Sequence, residues 1–261
     1  MRLILRVART AASHRNYGRR FARAVADLVH DGHFLAVMHG QNPGVQPVAA
    51  TEASRGAHSR NGHDCDCVEC LRFKTAEREN RALVALLGEA GVTGIGLHAT
   101  DARLVQLRKQ CFGNAATAVR VEAAHLDSCW LEIICSNKGV PVLSNLAFWS
   151  GEERHLIDAD RMAAVCAANW KADALIYLTE ENGVPNAHGD VLRWLDIGSA
   201  NGWHAMLSDG MRALVEACAM ALKGGVHRVR ILPLSNVDCL SLFYFTSIAY
   251  GTEVVSVSSV A

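Results

Sequence analysis

The densest cluster of side chains that could do chemistry lies between residues 63 and 70. His63, Cys65, Cys67 and Cys70 place one imidazole and three thiols within eight positions. Zinc binds such ligands tetrahedrally, so these residues could form a structural Cys₃His site. The spacing is tight, because ordinary zinc sites use two separated pairs of ligands. A polar loop with free thiols and a redox-sensing loop are the alternative interpretations of the same residues.

Several polar side chains directly follow apolar segments that are typical of buried strands. Arg9, His39 and Glu180 are examples, and for His39 a structural role is favoured over a catalytic one. In open α/β sheets, ligands bind beyond the carboxyl ends of the strands. We therefore expect a binding site built from the segments that leave these strands, which are residues 8–12, 39–44, 146–151 and 179–183.

The hydrophobic pattern alternates between strands and helices along the chain. Residues 172–178 (ADALIYL) are mostly apolar, as expected of a strand in a sheet covered on both faces. Residues 208–223 repeat apolar side chains at helical spacing, and Leu214 lies on the apolar stripe. This alternation predicts an α/β fold, a three-layer α/β/α sandwich around a mainly parallel sheet. Shorter predicted elements are a helix capped by Thr75, a helix within 101–110, a hairpin arm at 190–195 and a helix at 240–245.

Composition excludes several classes of protein. The 261 residues include 26 Lys and Arg against 26 Asp and Glu, and half of all residues are hydrophobic. This balance argues against a nucleic-acid binder and against an electrostatic membrane binder. No apolar run approaches the roughly 20 residues needed to span a bilayer. The nine cysteines and the lack of a secretion signal favour reduced thiols and a cytoplasmic location.

Six segments of the chain, taken in order, are similar to the motifs of one protein family. They are VMHGQNPG at 37–44, LRFKT at 71–75, LIDAD at 156–160, KADALIYLTEENGV at 171–184, SDGM at 208–211 and YGTEV at 250–254. Their order and spacing cover almost the whole chain. The chain therefore resembles the amino-acid kinase family, and within it the acetylglutamate kinases.

The resemblance implies an activity and an organisation. The activity is ATP-dependent phosphorylation of the γ-carboxylate of N-acetylglutamate, a step of arginine biosynthesis, with Mg²⁺ as the ion that accompanies ATP. The organisation is a single kinase-like domain over residues 1–261, in which residues 1–150 bind the small acidic metabolite and residues 151–261 bind the nucleotide. The family also forms a homodimer across the amino-terminal halves, so we expect a homodimer.

The same resemblance implies roles for individual residues. Arg6 stands in place of the family's first lysine and Asp160 in place of the aspartate that organises both lysines, so both would be catalytic. Arg72 could clamp a substrate carboxylate with two hydrogen bonds, or be a solvated surface arginine. Asp160 could instead be a first-turn acid favoured by the helix dipole. The other candidates are Gly40, Gln41 and Asp158 for the substrate, and Thr179, Glu180, Gly183, Gly210 and Met211 for the nucleotide.

The sequence departs from the family pattern where phosphate charge must be neutralised. Ala8 and Arg9 replace two glycines, and their Cβ atoms hinder close approach of the backbone to phosphate. Leu214 stands in place of the second lysine. Two hypotheses therefore stay open. In one, the protein is a divergent acetylglutamate kinase in which Arg6, Arg9 or Arg212 supplies the missing charge. In the other, it is a catalytically impaired pseudokinase that binds a metabolite or nucleotide as a regulatory or structural partner.

Overall fold

The computed structural model of the chain describes residues 1–41, 68–112, 118–149, 153–198, 207–240 and 250–256. Within these ranges the strands are β1 (Arg2–Val7), β2 (Phe34–His39), β3 (Thr93–His98), β4 (Val105–Phe112), β5 (Ala118–Leu126), β6 (Gly139–Ser144), β7 (Leu146–Trp149), β8 (Glu153–Leu156), β9 (Ala174–Thr179), β10 (Trp194–Asp196), β11 (Arg228–Pro233) and β12 (Thr252–Val255). The α-helices are α1 (Thr10–Ser13), α2 (Arg15–His30), α3 (Val68–Glu89), α4 (Cys129–Ser136), α5 (Ala159–Trp170) and α6 (Asp209–Lys223).

One sheet organises the chain, with the strand order β10-β12-β11-β9-β1-β2-β6-β3. Its neighbouring strands run parallel except β11 and β12, which are antiparallel. Two antiparallel pairs, β4 with β5 and β7 with β8, lie outside this sheet. The predicted mainly parallel sheet is therefore confirmed.

Strand β1 shows why the sheet needs helices on both faces. Leu3, Leu5 and Val7 belong to the apolar cluster that includes residues of α2 and α3. Ile4 belongs to the cluster on the opposite face, which includes residues of α4, α5 and α6. Successive side chains of a strand point to opposite faces, so the consecutive apolar residues 3–5 require cover on both. The predicted three-layer α/β/α sandwich is confirmed.

The path of the chain reverses direction across the sheet at its centre. From β1 the chain moves to β2 and then to the strands beyond it, and it later returns to β9 on the other side of β1. The order of strands therefore reverses between β1 and β9. In open parallel sheets, the crevice for ligands lies at such a reversal, outside the carboxyl ends of the strands.

The helix predicted within residues 101–110 is wrong. Asp101–Arg103 form one short 3₁₀ turn, and the chain then enters β4, which pairs antiparallel with β5. Val105 is buried, whereas Gln106 beside it is exposed. Alternation with a period of two residues is the pattern of a half-covered strand, and the register with β5 makes it stable.

Three other predicted elements differ from the structure. Helix α3 begins at Val68, so Thr75 is a buried interior residue of the helix and the predicted cap is wrong. The hairpin arm at 190–195 is reduced to a single antiparallel bridge between Pro185 and Val191, because β10 runs parallel to β12. The helix at 240–245 lies outside the described residues beyond its first position. Within the described ranges, no helix is long and apolar enough to cross a membrane.

Candidate active site

A hollow of about 410 Å³ opens at the carboxyl ends of β1, β2 and β9, where the strand order reverses. Most of the predicted site residues line it. From the catalytic and substrate-binding predictions these are Arg6, Asp160, Gly40 and Gln41, and from the nucleotide-binding predictions they are Thr179, Glu180, Gly210 and Met211. The other residues of its lining are Ala8, Arg9, Tyr177, Leu178, Glu181, Ser208 and Leu214.

Arg6 and Asp160 form an ion pair at the base of this hollow. The Nε atom of Arg6 lies 2.8 Å from Oδ1 of Asp160, and both side chains are about nine-tenths buried. The guanidinium also donates hydrogen bonds to the carbonyl oxygens of Val7 and, at 3.1 Å, Gly40. Burial of one charge without the other would be costly, so each residue fixes its partner. The two predicted catalytic residues are thus brought together.

A second arginine lies at the more exposed side of the hollow. The Nε atom of Arg9 donates to Oε1 of Glu79 at 2.8 Å. The Arg9 side chain is 52% exposed, whereas that of Glu79 is only 5% exposed. Burial raises the pKa of Glu79, and the positive charge of Arg9 opposes that shift. The buried carboxylate of Glu79 therefore anchors the guanidinium of Arg9 at the Nε atom.

Gly40 directly follows β2 in a conformation that other residues rarely adopt. Its φ is +136°, and a Cβ atom there would lie 2.0 Å from Oδ1 of Asn145. The amide nitrogen of Asn145 donates to the carbonyl oxygens of Gln41 and Ile157, both at 2.6 Å. Asn145 is fully buried and so ties the end of β2 to the segment that leads into α5.

His39 is a neutral structural neighbour of the hollow. It is 1% exposed, and its Nε2 atom lies 3.0 Å from the side-chain amide nitrogen of Asn80. That amide can only donate, so Nε2 is the acceptor and the proton of the neutral ring lies on Nδ1. Burial lowers the pKa of His39 to about 3, and the positive charge of Arg6 adds to the shift.

The opposite wall of the hollow is formed by the start of α6. Ser208 caps this helix by accepting a hydrogen bond from the backbone nitrogen of Met211 at 3.3 Å. Among the described residues, no contact within 4 Å awaits a Cβ atom at Gly210. Leu214, one turn later, is 7% exposed and belongs to the apolar core. A helix of this length attracts phosphate at its amino terminus, but Leu214 adds no charge.

The loop after β9 joins the two walls. Thr10 donates a hydrogen bond from its hydroxyl group to Oε1 of Glu180 at 2.8 Å. The hydroxyl group of Thr179 donates to the carbonyl oxygen of Glu181 at 2.9 Å. The segment after β1 therefore contacts the segment after β9 directly, at the rim of the hollow.

Three predicted site residues lie elsewhere. Asp158 caps α5, and its Oδ1 atom accepts hydrogen bonds from the backbone nitrogens of Asp160 and Arg161, both at 3.0 Å. Gly183 has a φ of +139° and packs against the segment that contains Thr252. Arg72 is half-buried near the start of α3 and is not among the residues that line the hollow. Their ligand-binding roles stay predictions.

The predicted zinc ligands fall mainly outside the described residues. His63, Cys65 and Cys67 precede the described part of α3, and Cys70 lies half-buried in its first turn. In the part of the chain that the structure describes, no group of three or more His, Cys, Asp or Glu residues could hold a metal ion. The described residues therefore give the zinc site no support.

Two residues of the site escaped the sequence analysis. Tyr177 is fully buried in β9, and its hydroxyl group donates to the carbonyl oxygen of Asp160 at 3.0 Å. Burial raises its pKa well above the ordinary value, so the hydroxyl keeps its proton. The available signal is the hydroxyl group of Tyr177 among the otherwise aliphatic residues 174–178. Asn145 was missed because the segment expected to follow its strand began one residue later, at 146.

Comparison with known proteins identifies the family. The amino acid kinase family matches residues 10–233 of this chain. An acetylglutamate kinase of Acidobacterium capsulatum is 36% identical over an alignment of 242 residues that covers 90% of this chain and 92% of that protein. An acetylglutamate kinase of Koribacter versatilis is 33% identical over an alignment of 266 residues, gaps included, that covers 98% of this chain and 99% of that protein. The chain belongs to the amino acid kinase family. Within this family, it is acetylglutamate-kinase-like over nearly its full length.

Solved structures share the fold at lower sequence identity. N-acetylglutamate synthase of Neisseria gonorrhoeae, complexed with coenzyme A and N-acetylglutamate, matches 98% of this chain with a TM-score of 0.76 and 19% identity. The chain spans 60% of the length of that synthase. Isopentenyl phosphate kinase matches 98% of this chain with a TM-score of 0.59 and 14% identity. At these identities the similarity shows the common fold alone.

Proposed function

We propose that the protein transfers the terminal phosphate of ATP to the γ-carboxylate of N-acetylglutamate. The observation that carries this proposal is the single hollow in which Arg6, Gly40 and the first turn of α6 face the same space. The names of the relatives at 36% and 33% identity supply the choice of acceptor.

The reaction needs positioning and positive charge more than proton transfer. A carboxylate oxygen of the acceptor attacks the terminal phosphorus, a new P–O bond forms, and the bond to the oxygen that bridges to the next phosphate breaks. The products are an acyl phosphate and ADP, and no proton has to be supplied. Because both reactants are anions, the site must present cations and N–H groups to the transferred group.

The two walls of the hollow would bind different reactants. On the acceptor side, Arg6 supplies a charge that Asp160 holds in place, and the backbone at Gly40 and Gln41 lies beside it. On the nucleotide side, α6 directs its amino terminus at the hollow. We assign the acceptor carboxylate to the first wall and the phosphates of ATP to the second, with Arg72 as a further acceptor contact.

The donor set fits the magnesium ion that normally accompanies ATP. Glu180 and Glu181 both line the hollow on the nucleotide side. Mg²⁺ in nucleotide sites is usually held by one or two carboxylates together with the phosphates. Glu180 and Glu181 would hold the ion, and when bound it would neutralise phosphate charge.

We also propose a homodimer across the amino-terminal halves and a cytoplasmic location. Strand β3 forms one edge of the described sheet in that half, with Ile95 exposed on it, and an exposed edge strand favours pairing with another chain. Cys129, Cys135, Cys166 and Cys218 are free thiols, which favours a reducing compartment.

One observation favours a second candidate function. Leu214 brings an apolar side chain to the wall where the family has a lysine, and Ala8 places a Cβ atom beside the phosphate path. A protein with these features could bind the nucleotide and the acidic metabolite with little turnover, as a regulatory partner. Both candidate functions use the same hollow.

Measurement of turnover separates the two candidates. Purified protein is given N-acetylglutamate and Mg·ATP, ADP release is followed by a coupled assay, and hydroxylamine traps the acyl phosphate. We expect both signals, each dependent on both substrates and absent from the Arg6→Met variant. Thermal shift with ADP reports binding separately, because a ligand of the folded state raises its stability. Binding without turnover would replace the kinase with the second candidate.

A further inference from the structure

We propose that Arg9 binds the terminal phosphate of the nucleotide and supplies the positive charge that Leu214 does not. This inference rests on the proposed function, because it assigns a residue of this chain to the phosphate that is transferred. Arg9 replaces a glycine of the family pattern, so the resemblance itself gives it no role.

The charges that line the hollow favour such a role for Arg9. Two arginines, Arg6 and Arg9, face three carboxylates, those of Asp160, Glu180 and Glu181. Asp160 is paired with Arg6 at 2.8 Å, so that pair is close to neutral. The Mg²⁺ ion proposed above would offset part of the charge of Glu180 and Glu181. Arg9, although paired with Glu79, is the second cationic side chain of the lining that can face a polyphosphate.

The geometry of Arg9 suits it to phosphate. Its only described side-chain bond joins Nε to Glu79, and its two terminal nitrogens make no bond that the described residues show. A guanidinium anchored at Nε still presents a planar pair of N–H donors, and phosphate accepts such a pair bidentately. The half-exposed side chain is thus anchored at one end and available at the other.

The position of Arg9 points to the terminal phosphate in particular. Arg9 stands between β1 and α1, and the next residue, Thr10, is bonded to Glu180 of the nucleotide wall. Its anchor, Glu79, comes from α3 in the amino-terminal half. Arg9 therefore lies where the two walls meet. The part of a nucleotide that must reach this junction is the phosphate passed to the acceptor.

The other two arginines considered from the sequence are less suitable. Arg6 is bonded to Asp160, Val7 and Gly40, and this network fixes its guanidinium at the base of the hollow. Arg212 is directed to its own helix end, where it lies 3.3 Å from Asp209 and donates to the carbonyl oxygen of Leu207. Arg212 is not among the residues that line the hollow.

Binding calorimetry with two nucleotides tests the inference without any acceptor. The probes are ADP and a non-hydrolysable ATP analogue, each with Mg²⁺. For Arg9→Gln we expect affinity for the ATP analogue to fall about tenfold or more, since a charged hydrogen bond to phosphate is lost. Affinity for ADP should stay within about twofold, because ADP lacks the terminal phosphate. Arg9→Lys should retain part of the preference for the ATP analogue.

Two further variants control for structural damage. Arg19→Gln removes another arginine bonded to α3, through Glu89 at 3.3 Å, but outside the hollow, and should leave both affinities unchanged. The double variant Arg9→Gln with Glu79→Gln removes the buried carboxylate that the single variant leaves unpaired. It should show the same selective loss of affinity for the ATP analogue.

Three results would overturn the inference. In the first, Arg9→Gln has unchanged affinity for the ATP analogue. In the second, its affinities for ADP and the ATP analogue fall equally. In the third, only its affinity for N-acetylglutamate falls, as measured in a parallel titration. Failure of the proposed function has a different signature. Suppose that Arg9→Gln selectively loses affinity for the ATP analogue but the wild-type protein never phosphorylates N-acetylglutamate. This result would refute the proposed acceptor and leave the role of Arg9 intact.

Discussion

The two walls of the hollow present different kinds of chemical group. On the acceptor wall, buried polar side chains are fixed by their partners. Arg6 forms an ion pair with Asp160, and the side chain of Asn145 donates a hydrogen bond to the backbone of Gln41. On the nucleotide wall, the contacts available at α6 are the first turn of the helix, an open glycine at Gly210 and the apolar Leu214. The positive charge of the site therefore belongs to Arg6 at the end of β1 and Arg9 just after it, and the nucleotide wall contributes mainly backbone.

This difference separates residues that serve the fold from residues that serve a ligand. The acceptor wall is buried, so a change there removes partners that other buried groups need. The nucleotide wall has unfilled space at Gly210, so a change at that position affects stability little and ligand binding more. Substitutions on the two walls should therefore differ in what they damage.

The largest expected effect is that of Arg6→Met on the acceptor wall. The variant leaves Asp160 buried without its cation, which costs roughly 3–5 kcal/mol of the free energy of unfolding. Turnover should fall by more than about 100-fold, because a positioned charge is lost from the transition state. Urea denaturation and the ADP-release assay measure the two effects. Arg6→Lys keeps the charge and should lose less of both, and an Arg6→Met variant with normal turnover would contradict the assignment.

A matched pair of glycine variants compares the walls directly. Gly40→Ala forces a Cβ atom against Asn145 at a φ of +136° and should cost about 3 kcal/mol of stability. Gly210→Ala enters open space in a helix and should change stability by less than about 1 kcal/mol, towards a more stable protein. Thermal unfolding and calorimetry with ADP check both. If Gly210→Ala leaves ADP affinity intact, the first turn of α6 does not bind phosphate.

Acid should weaken the acceptor wall through His39. The folded protein keeps this ring neutral until about pH 3, whereas the unfolded chain takes up a proton near the ordinary value of 6.5. The unfolded state therefore binds more protons between these values, and stability falls as the pH drops below about 6.5. The slope is at most about 1.4 kcal/mol per pH unit.

Unfolding of His39→Gln across this range measures that contribution. The variant should show a shallower fall of stability with acid than the wild-type protein. His188→Gln, a change at an exposed position, is the control and should keep the wild-type slope. Equal slopes for His39→Gln and the wild type would show that His39 is not held neutral.

The smallest expected effect is a gain on the nucleotide wall. Leu214→Lys places an amine on the wall that lacks charge and should raise turnover by about tenfold, measured by ADP release. The matched variant Leu214→Met changes shape without charge and separates the two contributions. A folded Leu214→Lys variant with no gain would show that the charge already present, including that of Arg9, is sufficient.

Local patterns in the sequence were enough for most of the fold. The apolar run at β9 and the helical stripe of α6 predicted both elements, because burial on two faces and burial on one stripe leave different periodicities. The pattern was misjudged at β4, where the partner strand β5 decided between helix and strand. The predicted start of α3 is wrong because Thr75 could cap the helix only from a non-helical position before its first turn, and α3 begins earlier, at Val68.

For the site, the sequence by itself determined the candidates, and the tertiary structure decided which of them meet. Arg6 and Asp160 are far apart in the chain, and only the parallel order of β9, β1 and β2 brings them within 2.8 Å. Glu79 is not among the residues that the sequence predicted for the site, yet the packing of α3 makes it the buried anchor of Arg9. Residue types and periodicities are local, whereas ion pairing and burial depend on which strands are neighbours in the sheet.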